Sequence, residues 1–251
     1  MVSLRDLLAE MVERGASDLH LTAGIPPQFR DPGGLWTGFA ARARAIIFNK
    51  EKMAREDAPR SLRQWGSETK WRGQFAVANP RFGTTSTHMA ALLAVWGRQG
   101  VEDLWAAWRA NGVAVLTGNA TVKNDVGAGR YAFGLTDTDD VFGAIQDGMP
   151  VGIAFPEEGL LIPNTIALIH GARRPEAAKR LIDYALRPET ERLLAWSRSG
   201  QIPLRAEVSR PDYVPAANEV RSLAADWPQV AARAEESAEL MGAVFGQMDR
   251  K

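Results

Sequence analysis

Three polar loops, each at the end of a short apolar run, constrain this chain more than any other feature. They read Asn79-Pro80-Arg81-Phe82-Gly83-Thr84-Thr85-Ser86-Thr87-His88, then Gly118-Asn119-Ala120-Thr121, then Thr136-Asp137-Thr138-Asp139-Asp140. Apolar runs alternating with helix-period segments build an α/β fold with a mostly parallel sheet. In open sheets of that kind, ligands bind outside the carboxyl ends of the strands. The three loops would therefore gather hydroxyls, an amide and three carboxylates at one sheet edge. That composition suits a small polar ligand, held without evident catalytic machinery.

The element reading follows from periodicity. Residues 43–49 form a buried strand, and 50–73 a loop with a short helix. Strands are expected at 75–78, 113–116, 131–135 and 151–156. Helices are expected at 86–96, closed by Gly97, at 101–110, closed by Gly112, and at 121–126. Residues 160–169 read as a strand pair broken at Pro163-Asn164. Pro175 opens a helix whose Ala177, Ala178, Leu181, Ile182 and Ala185 make an apolar face. Pro188 opens another. The last helix, 227–248, is expected to bury Val230, Ala234, Met241, Val244 and Phe245. Trp96, Trp105, Trp108 and Trp196 fall in helical patterns and are expected in the core, whereas Trp36, at a loop–strand junction, is the tryptophan placed to meet a ligand. At the start, Ser3 and Asp6 open a helix with Leu4, Leu7, Leu8, Met11 and Val12 on one side, and Gly15 closes it. Residues 18–22 alternate like a short strand, and Asp31-Pro32-Gly33-Gly34 reads as a junction.

Composition excludes several classes. Thirty basic and thirty acidic residues cancel, so no basic field points to nucleic acid. The chain has no cysteine, which removes disulfides, thiol catalysis and zinc–thiolate sites. His20, His88 and His170 lack metal-ligand spacing. No apolar stretch reaches the ~20 residues of a membrane helix. Asp6, Glu10, Glu13 and Arg14 interrupt any signal-peptide core, so the sequence as it stands is expected in the cytoplasm.

The chemistry-bearing residues each admit two readings. Thr84, Thr85 and Ser86 precede a helix, where free N–H groups and hydroxyls form an anion site or an ordinary N-cap. Asn119 either offers its amide to a ligand or caps a helix. Asp137, Asp139 and Asp140 repel one another unless a cation or Arg compensates. They are hard-cation or amine ligands, or a solvated loop; the EF-hand pattern fails. Arg42 and Arg44 flank the buried strand at 43–49, facing the carboxylates or an anion, or snorkelling. There is no P-loop and no nucleophile elbow, so an enzyme is not expected. His88 beside hydroxyls does not by itself make a Ser–His pair.

Several segments together resemble the extracellular solute-binding proteins of ABC transporters, of the ferric-iron-binding type. They are Trp36-Thr37-Gly38-Phe39-Ala40-Ala41-Arg42-Ala43-Arg44, Ala78-Asn79-Pro80-Arg81-Phe82-Gly83-Thr84-Thr85, Gly134-Leu135-Thr136-Asp137-Thr138-Asp139-Asp140 and Leu161-Ile162-Pro163-Asn164-Thr165. The resemblance covers about 31–246. It implies a periplasmic-binding-protein-like two-lobed fold with an interlobe cleft, periplasmic placement, and an ABC permease as partner. It places a synergistic anion at Thr84, Thr85, Ser86 and Asn119. It puts ferric iron where that family carries two tyrosines and this chain has Asp139 and Asp140. Another hard cation, an organic anion or a phosphonate-like molecule fits the same residues. Family members carry a longer segment before Trp36, so the first lobe is expected to be incomplete, with apolar faces uncovered and the cleft open on one side. Residues 1–30 instead resemble the start of twitching-motility retraction ATPases, through Gly15-Ala16-Ser17-Asp18-Leu19-His20-Leu21-Thr22-Ala23-Gly24. The expected division is 1–30, then 31–41 with 156–200 as a remnant of lobe 1, then 42–155 with 201–251 as lobe 2. The competing expectation is a non-catalytic interaction module of a pilus-motor assembly, or a fusion fragment without function.

Overall fold

The structure, a computed structural model, describes residues 36–169, 171–225 and 227–245. The helix and strand expected within 1–30, together with His20 and His170, lie outside the described residues.

One long strand organises the molecule. β1 (Trp36–Asn49) is rich in small and β-branched residues, and Ala45, Ile46 and Ile47 are fully buried. Its first half, Trp36 to Ala43, pairs antiparallel with β6 (Leu161–Ala167). Its second half, from Arg44 onward, lies between β4 (Phe133–Asp137) and β5 (Val151–Ala154), antiparallel to both. Beyond β4, β2 (Phe75–Ala78) and β3 (Ala114–Leu116) continue the sheet in parallel. The order is β3-β2-β4-β1-β5, with β6 beside β1. The class is α/β as expected, and the pairing is mixed: parallel where helices cross over, antiparallel along β1.

The helices follow the sequence with instructive differences. α1 (Leu62–Ser67) starts at a Ser61/Gln64 capping box. α2 (Gly83–Ala110) joins the two helices expected there, across a break at Gly97, whose φ of 72° and ψ of 175° are left-handed and open to glycine. α3 (Asn119–Gly127) follows β3. α4 (Thr138–Gln146) was not expected. The three acids read as cation or amine ligands or as a solvated loop, yet Asp139 and Asp140 occupy a first helical turn that favours negative charge, while Val141, Phe142 and Ala144 are buried. The break expected at Pro163 does not occur. β6 pairs with β1 and with no other described strand, and a strand so placed tolerates a missing N–H.

α5 (Pro175–Ala185) and α6 (Pro188–Ala195) follow β6. The final helix is two pieces, α7 (Trp227–Ala232) and α8 (Ala234–Phe245). Val230 and Met241 are buried as expected, Ala234 is exposed, and Leu240 is buried in its stead.

The main core lies between the sheet and α1–α2. Trp65 is at its centre, stacked on Trp108 at 5.4 Å and edge-on to Phe75 and Phe133 at 5.5 and 4.8 Å. Trp105 and Trp108 are core residues as expected. Trp196 is not: it is 59% exposed on the turn that closes α6.

Candidate functional site

The sheet delivers three helix starts to one edge. β2 leads into α2, β3 into α3 and β4 into α4. This brings Thr84, Thr85, Asn119 and the three aspartates together around two arginines that β1 supplies from one face, since residues two apart share a side of a strand.

Arg44 is the centre. Its side chain is fully buried and its Nη1 lies 2.6 Å from Asp137 Oδ1. The same nitrogen donates to Thr84 Oγ1 at 3.0 Å, and Nη2 donates to Thr85 Oγ1 at 3.2 Å. Thr84 donates onward to Asp137 Oδ2 at 2.6 Å. Asn119 Nδ2 donates to Thr84 Oγ1 and to Asp137 Oδ2, both at 2.9 Å. Asp137 thus accepts from a guanidinium, a hydroxyl and an amide. Among the described side chains, it is this carboxylate that fills the donors read as an anion cradle. Ser86 takes no part in the network: its N–H closes the first helical turn onto Phe82 O.

Arg42, partly exposed, forms the second half. Its Nε and Nη2 both donate to Asn164 Oδ1, at 2.9 and 2.7 Å, and its Nη1 lies 3.7 Å from Asp139 Oδ2. Asn164 Nδ2 donates to Gln201 Oε1 at 2.5 Å, and Gln201 Nε2 reaches Asp139 Oδ2 at 3.4 Å. The ring ties α4 to β6 and to the segment at Ile202, which bridges Ala41 of β1. Asp140 accepts from the Thr136 hydroxyl at 2.7 Å. Trp36 opens β1 opposite Ala167.

One oxygen from each of Asp137, Asp139 and Asp140 lies within 4.8 Å of the others. Two guanidiniums face these three carboxylates, and Lys123 adds a positive charge acting on Asp140. Burial, then the neighbouring Asp137, pushes the Asp139 carboxyl up to about 6. Burial also raises Asp140, against the Thr136 hydrogen bond. Asp139 Oδ1 is buried without a hydrogen-bond partner, as is Asn119 Oδ1. A buried acceptor left so is a place for a donor or a cation.

His88 lies one turn beyond Thr84 and is fully buried. Its Nε2 is 2.6 Å from the Glu158 carbonyl, so Nε2 carries the proton. Burial, reinforced by Arg44, pulls its pKa down to about 3. The ring is a neutral structural donor and forms no Ser–His pair.

The sequence missed Asn164 and Gln201 as members of this site, and nothing in their local pattern signals it. The Arg42–Arg44 alternation within an apolar strand was a visible signal for both arginines.

A strand that pairs with β4, β5 and β6, and a buried polar cluster where three helix starts converge, define an α/β protein with a polar sheet edge. The sequence signature of bacterial extracellular solute-binding proteins matches residues 4–228, and the chain belongs to that family. The match takes in most of the first 30 residues as well. The Fe(3+)-binding periplasmic protein of Serratia marcescens is 30% identical over 118 residues, 47% of this chain and 34% of that protein. Among solved structures, iron-bound HitA from Pseudomonas aeruginosa superposes with a TM-score of 0.72 at 18% identity, covering 96% of this chain and 87% of that one. The periplasmic binding protein AfuA from Actinobacillus pleuropneumoniae, with fructose-6-phosphate bound, gives 0.71 at 17% identity, covering 84% and 67%. The fold is therefore that of the two-lobed periplasmic binding proteins. The chain spans about a third to a half of the length of the curated relatives it matches. No described helix is long and apolar enough to cross a membrane.

Proposed function

We propose that this chain is the solute-binding component of an ABC importer and that it binds its solute, without turning it over, at the cluster of Asp139, Asp140 and Arg42. The observation that carries this reading is the buried, unpartnered Asp139 Oδ1 inside a group of three carboxylates. A hard cation relieves both the missing contact and the repulsion, because such ions prefer anionic oxygen. Ferric iron is the cation named for the Serratia relative. In this reading Asp139 and Asp140 are its carboxylate ligands. Thr84, Thr85 and Asn119 hold Asp137 beside the buried Arg44, and an accompanying anion enters beside the partly exposed Arg42. The partner is a permease, and the setting is periplasmic. β1 supports the division into lobes: it passes from β6 to the main sheet at Ala43–Arg44, which suits a hinge.

A second reading rests on the same acceptor. A phosphorylated polyol, of the kind named in the AfuA structure, would donate hydroxyls to Asp139 and Asp140 and present its phosphate to Arg42. A thermal-shift screen of the full chain separates the two. Ferric citrate, ferric iron with carbonate, divalent cations and sugar phosphates are the arms. A saturable rise with one arm, lost in Asp139→Asn, assigns the ligand class. No rise with any arm from a cooperatively melting protein refutes binding at this cluster.

A further inference from the structure

The orientation of each amide in the ring around Arg42 is fixed by its neighbours. Asn164 and Gln201 are only 7% and 8% exposed, so water does not choose it for them. Arg42 directs Nε and Nη2 at one atom of the Asn164 amide. A guanidinium only donates, so that atom is Oδ1, and turning the amide over would set N–H against N–H twice. Asn164 Nδ2 is then the atom that faces Gln201, and it meets Oε1 at 2.5 Å. The remaining end of the Gln201 amide, the one facing Asp139, is Nε2. The relay starts from a side chain that keeps its charge and ends in an amide that can present only N–H to the carboxylate cluster.

These donors are not used up. Arg42 Nη1 and Gln201 Nε2 approach the same oxygen, Asp139 Oδ2, at 3.7 and 3.4 Å. Both distances exceed the ~2.9 Å of a well-formed N–H···O bond, and each nitrogen carries two N–H groups. Gln201 held this way offers nothing to a bare cation or to an amine; it offers a hydrogen bond to an oxyanion. The charges nearby permit one, because Arg42, Arg44 and Lys123 stand against Asp137, Asp139 and Asp140.

We propose that Gln201 is a specificity-determining residue of the solute site: with Arg42 it grips a carboxylate or phosphate oxygen of the solute, and Asn164 positions it to do so. This rests on the binding role proposed above and adds the class of the solute. The solute carries an oxyanion, either as the anion accompanying a metal ion or as a phosphate ester.

Titration calorimetry of the full chain with ferric citrate and with a hexose phosphate tests this on the unaltered protein and on Gln201→Met, Gln201→Glu and Asp139→Asn. Methionine keeps the length and loses the donor. Glutamate keeps the bond from Asn164 and sets an anionic acceptor where the donor was. For the ligand that binds, Gln201→Met should be at least tenfold weaker than the unaltered protein, and Gln201→Glu at least a hundredfold weaker. A residue that merely ties its segment to β6 gives the reverse order of the two variants, because glutamate retains the tie. Gln201→Glu binding as well as Gln201→Met, or better, therefore overturns the proposal. It also falls if Gln201→Met binds like the unaltered protein while Asp139→Asn binds more weakly, and the proposed function then stands without it. Binding of neither ligand to the unaltered protein removes both. Should a variant melt without cooperativity, the unaltered protein decides. The side-chain amide protons of Gln201, followed by NMR, should move downfield as the hexose phosphate or gallium citrate, a diamagnetic counterpart of ferric citrate, is added. Amide protons that stay in place overturn the proposal.

Discussion

The unit built on β2–β5 and the ribbon of β1 and β6 with α5–α6 share a strand yet differ in how they are held. In the first, sheet and helices enclose a dense aromatic core in which Trp65, Trp105, Trp108, Phe75 and Phe133 are fully buried. In the second, one strand pair carries two helices whose apolar side chains stay largely open. Stability therefore belongs to the first unit, and the second follows it through β1. The proposed solute cluster lies on the seam, with Arg44 anchored in the first unit and Arg42 tied to Asn164 of the ribbon. A hinged binder needs that asymmetry, since one side must hold the ligand groups while the other moves.

The largest effect should come from the aromatic core. Trp108→Ala is expected to lose about 3–5 kcal/mol in denaturant unfolding. A loss below about 1 kcal/mol would erase the distinction between the units. Next, Arg44→Met strands Asp137 without its cation in a buried site, for a loss of about 3 kcal/mol or more. The Arg44→Met, Asp137→Leu double variant should recover most of it; an additive double variant would show that the pair is not the anchor.

A smaller effect has a pH signature. Asp139 sits near 6 in the fold, above its ordinary 3.8. Between those values the folded chain binds a proton that the unfolded chain releases, so this group's contribution to stability falls as pH rises from about 4 to 6. Asp139→Asn should therefore stabilise the protein at pH 7, on the order of 1–2 kcal/mol, with the gain gone near pH 4. A pH-independent difference would remove electrostatics as its cause. His88 works in the opposite sense: its share is present above pH 6.5 and drains as pH falls towards about 3. The smallest effect is expected on the ribbon. Leu193→Ala should change stability by less than about 1 kcal/mol, because the side chain is 58% exposed and its truncation leaves no cavity. A global loss comparable with Trp108→Ala would join the two units into one.

Much of the first unit was legible in sequence because its signals are local. Short apolar runs ended by Gly, Asn and Asp located β2, β3 and β4 and brought their loops to one edge. α4 was hidden because the acids at its start read as a ligand cluster or a loop, and its burial depends on neighbours far along the chain. Pro163 misled because a proline disrupts a strand only where its N–H is needed. The Arg44–Asp137 pair joins residues 93 apart, and the Arg42–Asn164 bond joins residues 122 apart. The sequence marked Arg42, Arg44 and Asp137 as unusual, but no local pattern says which charge meets which, or that Asn164 and Gln201 complete the ring. Trp196 was misplaced for a related reason: helical spacing shows an apolar face but not whether anything packs against it.

The proposed solute site is the group of carboxylates at the seam. Isothermal titration of the full chain with ferric citrate, and in parallel with a hexose phosphate, tests it most directly when repeated on the Asp139→Asn, Asp140→Asn variant. The expected result is saturable one-to-one binding of one of the two ligands, reduced at least a hundredfold in the variant while its cooperative unfolding is retained. Equal affinity in both proteins would place the solute elsewhere and contradict the claim.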